Sequence, residues 1–178
     1  DLEIDAFKCV IEWLHGDRTA YTDKTSNIAI KADWSSGKVG MTGRSYAGTT
    51  QFGLATTGVE GLETIVPVAG IASWYEYTNS QGISTSSNVS YSEYLAWYCN
   101  GRYLDPTDYA TIAEKYGNYL YQIQQDQLAT NGDYSDHWKV RDYTLNAENI
   151  KCPALIVHGL NDDNVRTKEF DLMYKAYE

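Results

Sequence analysis

A chain of 178 residues with 43% hydrophobic side chains is long enough for one domain with a sizeable core. Its formal charge of −10 and pI of about 4.7, with no basic cluster, exclude nucleic acid and anionic membrane as partners. No stretch approaches the roughly 18 consecutive apolar residues of a membrane span.

Residues 2–14 place Leu2, Phe7, Val10, Ile11 and Leu14 at helical spacing. An amphipathic helix is predicted there, ending near His15-Gly16. Residues 17–37 are polar and turn-rich and read as a loop excursion. Residues 38–42 form a short strand candidate that runs into Gly43-Arg44-Ser45-Tyr46-Ala47-Gly48. Residues 46–57 read as a helix of small side chains, and 62–69 as a second buried strand. Strand, turn, helix, strand is a βαβ unit, so the sheet is expected to be parallel.

The pattern changes over 74–150. Twelve of the chain's 16 Tyr and three of its five Trp fall within 74–143. Helical stretches at 91–99 and 108–128 alternate with polar loops, and no parallel strand is legible. The segment is expected to be a helical insertion that caps the sheet. Residues 152–159 then resume a core strand, leading to a loop with Asp162 and Asp163, and 166–178 read as a further amphipathic helix. The predicted class is α/β: a mostly parallel sheet with helices on both faces. Core is expected over 1–73 and 151–178, with the insertion over 74–150.

Ser45 follows a strand and precedes a helix. A serine at such a turn projects its hydroxyl above the sheet, and small neighbours are needed because the turn is crowded. Gly43 and Gly48 fit; Ala47 stands where the G-x-S-x-G pattern has glycine. A serine hydroxyl needs a positioned base to act as a nucleophile. The backbone N–H of Tyr46 can stabilise the resulting oxyanion, helped by the helix dipole. The order matches the nucleophile turn of an α/β-hydrolase, in which the acid follows a later strand and the histidine comes last, against the plainer reading of a glycine-rich turn with a surface serine. The strand at 152–159 supplies the acid, with Asp162 and Asp163 both allowed by spacing. Neither His15, which ends the first helix, nor His137, in the insertion, is placed to be the base. His158 precedes the acid, in the wrong order. The base is expected outside these residues, leaving two of three triad members here.

Cys9, Cys99 and Cys152 are too few for a disulfide framework and read as free thiols, which suits a reducing compartment. No two have metal-ligand spacing.

The segments 37–49, 55–62, 71–75 and 157–165 resemble, in order, those of the bacterial Xaa-Pro dipeptidyl-peptidases, most closely the lactic-acid-bacterial type. The resemblance implies an α/β-hydrolase core and a serine exopeptidase that releases Xaa-Pro dipeptides from free amino termini. It matches Ser45 to the nucleophile, Asp162 to the acid and Tyr46 N–H to half of the oxyanion hole. The other half, a tyrosine hydroxyl, belongs to an upstream segment of the family. Trp74 and Tyr75 match aromatic residues near the pocket for the penultimate proline, whose flat apolar ring suits aromatic walls. The resemblance further implies peptide substrates with proline second and a homodimer; no metal or organic cofactor is implied, and a cytoplasmic location is expected from the free thiols. Glu76, Asp133, Asp136 and Asp142 are candidates to hold the substrate's amino terminus, and the sequence does not choose among them. Two competing readings remain: an esterase acting on amino-acid or cocaine-like esters, and a non-catalytic piece that would not turn over Xaa-Pro substrates alone.

Overall fold

The structure is a computed structural model that describes residues 2–80, 82–84, 106–129 and 131–178. The chain forms two compact units: Asp1–Tyr77 with Val140–Glu178, and Thr78–Lys139.

The first unit opens with α1 (Leu2–His15), with Glu3 and Asp5 in its first turn, where the helix dipole favours acids. Gly16, at φ 106°, ends it. Of the apolar stripe read from spacing, Ile11 is buried, together with Ile4, while Leu2, Phe7 and Val10 are exposed. The helix packs on α2 (Tyr46–Ala55) and touches β3 (Val39–Arg44), so only the side turned to them is covered. Gly53 makes that contact possible: a Cβ there would lie 2.6 Å from the Ile4 Cδ1.

The excursion over 17–37 contains a hairpin, β1 (Ala20–Tyr21) and β2 (Ala29–Ile30), antiparallel. Strands of two residues are too short to leave an alternating pattern in sequence. Asp23 shapes the turn, its Oδ1 accepting from the Thr25 and Ser26 backbone N–H at 2.8 and 2.7 Å. Trp13 anchors the hairpin by donating its indole N–H to Ile30 O at 3.1 Å, with Trp34 packed edge-on against it.

β3 pairs in parallel with β4 (Leu62–Val68), and α2 connects them, as the βαβ reading expects. Residues 153–157 lie parallel along the other side of β4. Leu155 and Val157 N–H donate to Ile65 and Pro67 O, each at 3.0 Å, and Ala69 N–H donates to Val157 O at 2.8 Å. The order is thus β3, β4, 153–157, with all three running the same way. A 3₁₀ helix, Tyr143–Asn149, is capped by Asp142, which accepts from Thr144 N–H.

In the second unit β5 (Asn79–Ser80) pairs with β6 (Ile83–Ser84), and α4 (Pro106–Leu128) begins with proline at its first position. α4 buries Leu120, Ile123 and Gln127, a single stripe at helical spacing. The helix expected at 91–99 lies outside the described residues. A short helix, α5 (Asp136–Lys139), follows. The chain's last helix, α6 (Lys168–Tyr177), belongs to the first unit and buries Glu169 and Met173.

Candidate active site

Ser45 sits between β3 and α2 at φ 59°, ψ −123°. L-residues avoid positive φ because Cβ meets the backbone, and such a residue costs about 1–3 kcal/mol. The surroundings impose the conformation. Ser45 N–H donates to Val68 O at 2.9 Å, while Ser45 O accepts from Gly48 and Thr49 N–H at 2.7 and 2.9 Å. Backbone on both sides of the residue is therefore fixed to the sheet and to the helix. The side chain is exposed, and its hydroxyl makes no capping bond to α2.

The small neighbours follow from measured distances. A Cβ on Gly43 would lie 2.7 Å from the Ala47 Cβ, and one on Gly48 would lie 2.8 Å from Val68 O. Ala47 is exposed, so the turn admits its methyl where the sequence pattern has glycine. Gln51, fully buried, holds the turn from behind. Its Nε2 donates to Ala47 O at 2.7 Å, and its Oε1 accepts from Val66 N–H at 3.0 Å. The sequence offers no signal for this role, because a glutamine in a small-residue helix reads as a surface residue.

Tyr46 begins α2, so its N–H lies beside the serine at the positive end of the helix dipole. Its hydroxyl donates to Glu3 Oε2 on α1, and its ring packs 6.1 Å from that of Trp74. Trp74 opens α3 (Trp74–Thr78) and also meets Tyr77 edge-on at 5.8 Å. Only 6% of Trp74 is exposed, so it backs Tyr46 rather than presenting an open face; Tyr75 is half-buried.

Asp162 follows the 153–157 strand, at the same sheet edge as Ser45. Its Oδ1 accepts from Asn164 and Val165 N–H at 3.0 and 2.9 Å. Oδ2 takes no hydrogen bond among the described residues, leaving one lone-pair face for a partner. Asp163 is exposed, and no bond to it is seen among the described residues. Two interstrand spacings separate the strands that carry Ser45 and Asp162, about 10 Å.

The first unit's histidines do other work. His15 Nδ1 pairs with Asp17 Oδ2 at 2.7 Å. His158 Nε2 donates to Val165 O at 2.7 Å, because a carbonyl only accepts, and its ring packs on Phe170. It thereby clasps the acid loop. His137, in the second unit, packs edge-on against Trp138. Among the amino-terminus candidates, Glu76 pairs with Lys168 and Asp136 with Lys139, while Asp142 caps the 3₁₀ helix.

Glu169 was not legible as part of the site. It is 1% exposed, and its Oε2 accepts from Ala72 and Ser73 N–H at 2.9 and 3.0 Å. Burial pushes its carboxyl up from 4.5 to about 7; the two N–H donors and Arg166 oppose this, and Glu76 adds to it. The folded state thus favours the protonated acid. This contribution to stability is complete below pH 4.5 and is lost as pH rises through 7, amounting to about 3 kcal/mol. Glutamine keeps the acceptor without the charge. Glu169→Gln is expected to melt near the parent temperature at pH 5 and several degrees above it at pH 8. Parallel melting curves for the two proteins across that range would contradict this.

The sequence profile of the X-Pro dipeptidyl-peptidase (S15 family) matches residues 1–178. The chain is 42% identical over 179 residues to the Xaa-Pro dipeptidyl-peptidase of Lactobacillus helveticus, covering 99% of this chain and 22% of that protein. It is 44% identical over 170 residues to that of Ligilactobacillus salivarius, covering 94% and 21%. The chain thus spans about a fifth of the length of these relatives. An α/β fold family hydrolase from Bacillus anthracis str. Sterne superposes with a TM-score of 0.47 at 19% identity, covering 82% of this chain and 58% of that one. By the full-length profile match and these identities, the chain belongs to the X-Pro dipeptidyl-peptidase (S15) family.

Proposed function

We propose that this chain carries the nucleophile and the acid of a serine exopeptidase that releases Xaa-Pro dipeptides from free amino termini. The observation that carries the reading is Ser45, held at φ 59° with an exposed hydroxyl at the sheet edge that also bears Asp162. Ser45 attacks the carbonyl carbon of the proline residue, and the bond to the next residue's nitrogen breaks. A histidine from outside these residues takes the hydroxyl proton and returns it to the departing amine, and the Asp162 Oδ2 orients its ring. The Tyr46 N–H faces the oxyanion. The acyl-enzyme is then hydrolysed by water, activated by the same histidine.

Tyr75, half-buried, contributes to the wall that meets the proline ring, and Trp74 supports that wall from behind Tyr46. Residues 74–150 form the insertion, and the compact unit Thr78–Lys139 within them supports such a division. The free thiols Cys9 and Cys152 agree with a cytoplasmic location. The full-length protein acts as a homodimer. No described helix is long and apolar enough to cross a membrane.

The test compares cleavage of Ala-Pro-p-nitroanilide by the full-length protein with cleavage of its amino-acetylated form. Fast release from the free form alone is the expected result. Equal rates with both would make the protein an esterase-like hydrolase and remove the exopeptidase reading.

A further inference from the structure

The acid loop and the aromatic turn are tied together within the first unit. Tyr77 donates its hydroxyl to Asn164 Oδ1 at 2.9 Å. Arg166 Nη2 donates to Glu76 O at 3.0 Å and to Tyr77 O at 2.6 Å. Lys168 pairs with Glu76 at the surface. Beneath them, Glu169 accepts from Ala72 and Ser73 N–H. Ion pairs open to water contribute little, whereas a buried acceptor that satisfies two backbone donors is costly to remove. Glu169 is therefore the dominant link.

The tie has a consequence at each end. Ser73 directly precedes Trp74, whose ring packs on Tyr46, the residue after the nucleophile. On the other side, Asp162 lies seven residues before Glu169. Segment 72–74 is also paired with 141–143, through Trp74 N–H to Arg141 O at 3.1 Å and Tyr143 N–H to Ala72 O at 3.0 Å. Glu169 thus meets a turn already braced on one side and fixes it from the side of the acid loop.

We propose that Glu169 is a positioning residue that holds the Trp74 turn and the Asp162 loop in one relative placement, and thereby sets selectivity for the ring at the substrate's second position. The proposal rests on the reading of Ser45 and Asp162 as the catalytic pair. An apolar side chain would spare the cost of a buried acid held up to about 7, but it would leave two buried backbone N–H groups without their acceptor. What an apolar residue cannot do is hold two backbone N–H groups in a fixed place.

The experiment measures kcat and KM of the full-length protein and its variants on Ala-Pro- and Ala-Ala-p-nitroanilide. Glu169→Gln retains the acceptor and is expected to keep the parental selectivity ratio. Glu169→Leu is expected to lower the ratio about 10-fold, chiefly through a higher KM for the prolyl substrate. A folded Glu169→Leu protein with the parental ratio overturns the proposal, and so does a Glu169→Gln protein as impaired as Glu169→Leu. Should Glu169→Leu not fold, Glu169→Met removes the same acceptor while keeping the length of the side chain. A reduced ratio in that variant supports the brace, and the parental ratio overturns it. A parent protein silent on both anilides refutes the exopeptidase reading alone. The variants are then compared on p-nitrophenyl butyrate, where parental turnover by Glu169→Leu overturns the brace and reduced turnover supports it. A parent inactive on the ester as well removes the catalytic pair and the brace with it.

Discussion

Ser45→Ala in the full-length protein is expected to lower kcat on Ala-Pro-p-nitroanilide by roughly 10⁴-fold or more, with the fold intact. Ser45 is an exposed residue and its side chain makes no capping bond, so removing the hydroxyl leaves no capped group unpaired. Stability should therefore stay close to that of the parent. Ser45→Gly sharpens the result, because glycine adopts φ 59° without a Cβ penalty. It should lose activity equally while gaining about 1 kcal/mol of stability. A variant that is both inactive and more stable marks strain kept for chemistry rather than for folding. Normal turnover by Ser45→Ala would remove Ser45 as the nucleophile.

The second large effect separates two adjacent acids. Asp162→Asn is expected to lower kcat by about 10³- to 10⁴-fold, because an amide cannot stabilise the imidazolium and favours the wrong histidine tautomer. Its Oδ1 can still accept from Asn164 and Val165 N–H, so the loop should keep its shape and the melting temperature should barely move. Asp163→Asn is expected to stay within about 3-fold of the parent, since surface substitutions of this kind change little. Paired kinetics and thermal melts check both. Equal losses in the two variants would show that the loop as a whole, rather than one carboxylate, is what matters.

Much of the core could be read directly from residue order. The spacing over 2–14 places α1, and the strand, glycine-flanked serine and helix place β3, Ser45 and α2, because period and turn chemistry are local properties. The apolar run at 152–157 places the strand before the acid for the same reason. Spacing left Asp162 and Asp163 equivalent; resemblance favoured Asp162, and the loop's own hydrogen bonds distinguish them physically. Only Asp162 turns an oxygen onto two backbone N–H groups and leaves the other available.

What the tertiary structure alone decided depends on approach between distant segments. The hairpin over 20–30 has strands too short to leave a periodic trace. Resemblance rather than spacing singles out Trp74 among many aromatics, and its packing behind Tyr46 is a matter of tertiary structure. Gln51 and Glu169 read as ordinary helical polar residues. Their roles arise because backbone N–H groups 15 and 96–97 positions away come within 3.0 Å of them. A sequence carries periodicity and turn preference along the chain. Which buried donor meets which acceptor is set only when the sheet and helices have packed, and at this site those meetings fix the serine turn and the segment beside the acid.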